Sequence, residues 1–244
     1  SWLNTGAYCT FGVELVGVCG ACGTAGTYRI PNLKYVGHPV YTNQQTAGAF
    51  RGFGTPQGNS IVEACIDKIA QALNRDPLDL RKQNTTKNGD RNWFPFELGS
   101  VGVDECLDKA AAEIGWAEKR GQKQEGNIRR GVGIACGTHV SNAAPFCVDY
   151  NTVQLQFEQD GSFMIRSGIP ELGPGSTTAV TQVACDLMGV PMETTKMVFG
   201  DTYATPFDIG SHATRTLYSV SQVLEKATKT LKKDVLSWAA NFLG

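Results

Sequence analysis

The residues best suited to chemistry are Arg51 and Phe53, in the stretch Ala47-Gly48-Ala49-Phe50-Arg51-Gly52-Phe53-Gly54-Thr55-Pro56-Gln57. Gly48, Gly52 and Gly54 let a backbone turn tightly and approach a ligand without Cβ interference. Thr55-Pro56 reads as an N-cap followed by proline at the first helical position. A helix N-terminus beside Arg51 is a ready anion site. Phe53, between two glycines, has little local company. The pattern suits a loop that holds a negatively charged cofactor with an aromatic ring beside it. It suits equally a plain glycine turn with Phe53 inside and Arg51 in solvent.

Two later stretches repeat the device. Glu171-Leu172-Gly173-Pro174-Gly175 leads through Ser176-Thr177-Thr178 into a helix, and Gly210-Ser211-His212-Ala213-Thr214-Arg215-Thr216 opens another. Hydroxyls cluster at both, ready to donate to phosphate or carbonyl oxygens. One such loop says little; three that converge would wrap an extended polar cofactor. Cys19-Gly20-Ala21-Cys22 has metal-ligand spacing, but His38, His139 and His212 stand apart and no second pair completes a zinc site.

The elements that must position these loops follow from periodicity. Residues 1–46 show little helical pattern; Asn4 to Tyr8 looks like a strand leaving into a turn, and 28–32 and 36–42 read as short extended segments. Val62, Cys65, Ile66, Ile69 and Leu73 recur as one buried stripe of a helix. Asp76-Pro77 caps a short helix through Leu80, and the polar loop 84–90 marks a domain boundary. Val103, Cys106, Leu107, Ala110 and Ile114 make an amphipathic helix, and 118–130 a solvated loop. Val153, Leu155 and Phe157 alternate with polar residues, Asp160-Gly161 signals a hairpin, and 163–167 returns as its partner. Val180, Val183, Ala184 and Leu187 share a helix face ended by Gly189. A short strand lies within 191–199, and Val220, Val223, Leu224, Ala227 and Leu231 stripe the last helix. The class is α+β: mixed sheets and β-hairpins with helices.

The 244 residues suffice for one large domain or two smaller ones. A net charge of -1 with only 18% charged residues gives no reason to expect nucleic acid or an anionic membrane as a partner. No apolar run approaches the roughly 20 residues that span a bilayer, and no signal peptide is visible. The eight cysteines are scattered; Cys9, Cys65, Cys106, Cys136, Cys147 and Cys185 read as small hydrophobes in a reducing, cytoplasmic setting. Ser1-Trp2-Leu3 opens as if in the middle of an element, so a piece of a longer protein is expected.

Arg51 to Gln57 resembles the R-G-F-G-x-P-Q loop of the molybdenum hydroxylases, the xanthine dehydrogenase and aldehyde oxidase family. Tyr28-Arg29-Ile30-Pro31-Asn32 and Tyr41-Thr42-Asn43 resemble the segment just upstream, 171–175 the E-x-G-Q-G loop, and Gly200-Asp201-Thr202 with 210–216 a later pterin-contacting stretch. The resemblance implies a two-lobed molybdopterin-binding fold, with 1–88 the C-terminal part of the first lobe and 89–244 the N-terminal part of the second. It implies a molybdenum-bearing molybdopterin, in the cytosine dinucleotide form in many bacteria, and hydroxylation of an aldehyde or N-heterocycle with water-derived oxygen. Iron–sulfur and FAD partners would take the electrons. Phe53 would pack on the substrate, and Arg51 with Gly52 and Gly54 would hold the metal-proximal end of the cofactor. Gly173, Gly175 and Ser176 would approach the pterin; Ala213, Thr214 and Thr216 would meet its ring edge or phosphate. Three departures stand out. Pro174 replaces the family's glutamine, Cys19 or Gly20 stands where purine-oxidising members carry arginine, and the family's catalytic glutamate has no counterpart among these residues. A non-catalytic scaffold or assembly subunit of the same fold is the alternative; a nicotinamide or flavin domain lacks its G-x-G-x-x-G helix.

Overall fold

In the computed structural model residues 2–8, 11–92, 97–122, 126–142 and 148–244 are described. Cys9 and Cys147 lie outside them. The chain divides into two compact units, Ser1–His139 and Val140–Gly244.

In the first unit β1 (Trp2–Gly6) pairs in parallel with β2 (His38–Tyr41). Between them the chain is helical where its sequence shows little helical pattern. Residues Gly12–Val18 form α1, which runs on as a π-helical turn, Cys19–Thr24. Four glycines in this stretch disfavour helix, at about 1 kcal/mol each relative to alanine. Packing against α2 (Thr55–Ala72) overrides that preference. A Cβ on Gly23 would stand 2.7 Å from Gly58 Cα, and one on Gly58 2.5 Å from the Cys19 carbonyl oxygen. The two helices therefore touch backbone to backbone, and only glycine permits it there.

The expected stripe on α2 is corrected too. Cys65, Ile69 and Leu73 are exposed, whereas Glu63 and Ala70 are buried. The inward face is chosen by an ion pair. Arg81, fully buried on α3 (Pro77–Asn84), donates from Nε to Glu63 Oε2 at 2.8 Å, and Tyr28 donates its hydroxyl to Glu63 Oε1 at 2.5 Å. The Cys136 amide completes the carboxylate's shell at 2.9 Å. Burial, reinforced by that carboxylate, pushes the Tyr28 phenol pKa far up. Asp76 caps α3 as expected, accepting from the Leu78 amide at 2.7 Å. The loop after it is no plain linker: Thr85 and Thr86 are buried, and the Thr86 amide donates to the Thr27 carbonyl at 3.0 Å. α4 (Val103–Ile114) and α5 (Trp116–Lys119) follow. Cys106 on α4 is exposed rather than packed inside.

In the second unit β3 (Val153–Phe157) and β4 (Phe163–Ser167) form the expected antiparallel hairpin, Val153 opposite Ser167. α6 (Ser176–Met188) then crosses to β5 (Thr195–Phe199), which lies parallel to β4. α7 (Thr216–Leu243) closes the unit. Phe163, Ile165, Val180, Ala184, Val220 and Leu224 are all completely buried in one core. Removing a side chain of the Val, Leu, Ile or Phe kind from water stabilises by roughly 1.5–3 kcal/mol. That core fixes the sheet under both helices.

Candidate functional site

The Phe53 turn is held from both sides. Gly54, not Thr55, is the N-cap of α2, with φ +89°, so Pro56 falls in the helix's first turn. The Thr55 hydroxyl donates to the Gly52 carbonyl at 2.5 Å and lies 3.3 Å from His139 Nδ1. That hydroxyl has one proton, so His139 Nδ1 is the donor in the second contact and its Nε2 carries the lone pair. A Cβ on Gly54 would strike the Leu15 carbonyl oxygen of α1. Phe53 itself sits at φ +42°, a left-handed conformation that non-glycine residues rarely adopt. Its ring is not alone. It meets the ring of Phe11 edge to face, centroids 6.0 Å apart and planes at 78°. Arg51 is exposed beside it.

In the second unit the other two loops reach one edge of the sheet. Ser167 and Phe199 are register partners that end the parallel strands β4 and β5, so 168–175 and 200–215 leave side by side. Open parallel sheets bind ligands at this carboxyl edge. A Cβ on Gly168 would stand 2.9 Å from the Asp208 amide, so the two loops are in contact.

The two helices that start there differ. At α6 the chain supplies its own anion. Glu171 accepts from the amides of Gly173 at 2.8 Å, Gly175 at 3.1 Å and Thr177 at 3.1 Å, and from the Thr177 hydroxyl at 3.3 Å. The Thr177 amide, followed by those of Gly173 and Gly175, lowers the Glu171 pKa against a smaller opposing effect of desolvation. The Gly173 and Gly175 amides, expected to approach the cofactor here, are therefore engaged. Among the described residues the α7 N-terminus has no side-chain cap, and its first amides have no partners one turn back. Ahead of it Ala213 and Thr214 both take left-handed φ, +46° and +57°. For a β-branched residue that is a true outlier, costing on the order of 1–3 kcal/mol.

Arg215 stabilises this shape. Its fully buried guanidinium donates to Asp149 at 2.5 Å, Asn151 Oδ1 at 2.6 Å, the Gly210 carbonyl at 2.8 Å and the Tyr150 carbonyl at 2.9 Å, and faces Asp208 at 3.5 Å. The Asn142 amide donates to the Ala213 carbonyl at 2.7 Å, and Thr216 donates to Ser211 at 2.6 Å. Among the described residues, Ser167 Oγ, at the carboxyl end of β4, and Ser219 Oγ, in the first turn of α7, are buried without a hydrogen-bond partner. An uncapped helix end, a strained turn and two orphaned hydroxyls at one edge fit a polar, anionic guest. The α6 nest does not, because Glu171 fills it.

Cys19 and Cys22 are buried free thiols in the π-helical turn, and burial raises the Cys22 pKa, the reverse of what a reactive thiolate needs. Sequence reasoning missed Arg215, the capping role of Glu171, and Phe11. Asp149, the one charged residue between Arg130 and Glu158, was the available signal for the first.

A family model described as a molybdopterin cofactor-binding domain matches residues 109–244, and a second so described matches residues 1–85. The chain is 36% identical to a xanthine dehydrogenase molybdenum-binding subunit of Escherichia coli, over 98% of this chain and 32% of that protein. It is 29% identical to an aldehyde oxidoreductase of Megalodesulfovibrio gigas, over 95% of this chain and 26% of that one. The fold superposes with a TM-score of 0.79 on the aldehyde oxidoreductase of Desulfovibrio desulfuricans, at 24% identity, covering 94% of this chain and 26% of that one. The chain thus spans between a quarter and a third of the length of these relatives.

Proposed function

The chain belongs to the molybdopterin cofactor-binding domains of molybdenum hydroxylase catalytic subunits, and from that premise we propose that it contributes cofactor-holding loops to an enzyme that hydroxylates an aldehyde or N-heterocycle with oxygen from water. The observation that carries this reading is the strained Ala213–Thr214 turn before the uncapped α7 N-terminus, clamped by buried Arg215. Its backbone donors and the Thr216 hydroxyl would hold the cofactor's phosphate or pterin edge. Arg51, Gly52 and Gly54 would hold the metal-proximal end, with Phe53 against the substrate. Gly173, Gly175 and Ser176 would shape the cradle wall rather than bind an anion, their loop being fixed by Glu171. When bound, the cofactor supplies the two-electron oxidation; the protein supplies binding, orientation and electrostatics.

Glu171 is not offered as a base, since its carboxylate is committed to three amides. The remainder of the subunit, iron–sulfur and flavin partners, the cytosine dinucleotide form, a cytoplasmic location and the lobe division at 88/89 all belong to the proposal. Among the described residues no helix is long and apolar enough to cross a membrane. A scaffold or assembly subunit is the second reading, favoured by Pro174 in place of a side-chain donor. The discriminating experiment runs the complete subunit with its redox partners on an N-heterocycle in heavy-oxygen water. Label in the hydroxylated product supports the enzyme; cofactor retention without any turnover supports the scaffold.

A further inference from the structure

Residues 136–139 form no helix or strand, yet they are bonded to α2 at three successive turns. Thr55, Asn59 and Glu63 share one face of that helix at i, i+4 and i+8. The Cys136 amide donates to Glu63 Oε2 at 2.9 Å, Asn59 Nδ2 donates to the Thr138 carbonyl at 3.2 Å, and His139 Nδ1 meets the Thr55 hydroxyl at 3.3 Å. The spans match, since eight helical residues rise about 12 Å and three steps of extended chain reach about 10 Å. Thr138 also donates its hydroxyl to the Cys22 carbonyl at 3.1 Å, which ties the segment to the π-helical turn.

Two of these contacts fall on the body of α2, and the third falls on the Phe53 turn. The Gly52 carbonyl accepts from the Thr55 hydroxyl at 2.5 Å and from the Thr55 amide at 3.0 Å, while the Phe53 amide donates to the Phe50 carbonyl at 2.8 Å. The Gly52 carbonyl and the Phe53 amide belong to one peptide unit, so its plane is fixed at both ends. Gly52, Phe53 and Gly54 all take positive φ, +91°, +42° and +89°, a run that persists only under restraint. Among the described residues the Gly52 and Gly54 amides have no hydrogen-bond partner. The Thr55 proton goes to Gly52, so only a donor can hold the Thr55 oxygen from the other side, and His139 supplies it.

We propose that His139 is a positioning residue for the cofactor: by holding the Thr55 hydroxyl it fixes the Gly52–Phe53 peptide in the plane that leaves the Gly52 and Gly54 amides free for the ligand. The inference rests on the reading of this turn as the holder of the cofactor's metal-proximal end, and adds what sets its shape.

Thr55 is buried but His139 is exposed, so the donor can be removed without opening the core. The test compares, in the complete subunit with its partners, His139→Leu, which lacks the donor, with His139→Asn, whose amide carries an N–H close to the place of Nδ1. In His139→Leu the Thr55 amide should exchange its hydrogen about fivefold faster, the size of one hydrogen bond. The half-time of pterin release in dilute urea should shorten by a similar factor, with little change in melting temperature. His139→Asn should restore both, and in a Thr55→Val background His139→Leu should add nothing. Wild-type exchange and release in His139→Leu overturn the proposal, as do equal losses in the Leu and Asn variants or a further loss in the Thr55→Val background. Faster exchange with unchanged pterin release overturns the cofactor role. A wild-type subunit without pterin, in which His139→Leu still speeds exchange, overturns the proposed function and not the assignment of His139 to the shape of the turn.

Discussion

Arg51 and Glu171 carry opposite assignments, and each has its own outcome. Arg51 is exposed, so Arg51→Ala should cost only about 0.5 kcal/mol of stability. Cofactor content should drop much further. Full cofactor content with a large loss of thermal stability contradicts the assignment. Glu171 has a folded-state pKa below its ordinary value of 4.5 because the folded backbone solvates its anion, the Thr177 amide most strongly. A depressed carboxylate contributes stability above its unfolded pKa and loses it as pH falls through the folded one. Hydrogen exchange at the amides of Gly173, Gly175 and Thr177 should therefore be slow at neutral pH and accelerate only below about pH 4.5, beyond the intrinsic rate change. In Glu171→Gln the protection should be weak at every pH; wild-type protection in that variant refutes the capping account.

At the scale of elements, backbone contact between α1 with its π-helical turn and α2 sets the position of the Phe53 turn. Gly58→Ala gains about 1 kcal/mol of helix propensity. It also forces a methyl to within 2.5 Å of the Cys19 carbonyl, and overpacking of that kind costs about 1–3 kcal/mol. We expect a net loss, read as a lower urea midpoint; a rise shows that the helices can part freely. Arg215→Met leaves Asp149 and Asp208 buried without their cation and should cost about 3–5 kcal/mol. The hairpin β3–β4 was legible because alternation and Asp160-Gly161 are local signals, and the α6 boundary at Gly189 for the same reason. α1 was not, because its glycines deny local propensity and its stability comes from a partner 35 residues away in sequence, as in the Gly23–Gly58 contact. The α2 stripe misled because apolar spacing does not say which face a buried ion pair will claim. The three glycine loops could be read in the sequence, but the clamp on the third could not: Arg215 reaches Asp149, Tyr150 and Asn151, 64 to 66 residues earlier.

At the scale of the whole molecule, the chain matches about a third of the length of a molybdenum-binding subunit. Two loops in the second unit share the carboxyl edge of a parallel strand pair, and the Phe53 turn belongs to the first unit. Each unit is proposed to contribute loops that would hold the molybdopterin. The measurement that bears on this most directly is the molybdenum and pterin content of the complete natural subunit. Stoichiometric amounts of both are predicted, falling together in Arg51→Ala and in Thr214→Pro, which abolishes the left-handed turn. A complete, folded subunit reproducibly lacking both molybdenum and pterin contradicts the account.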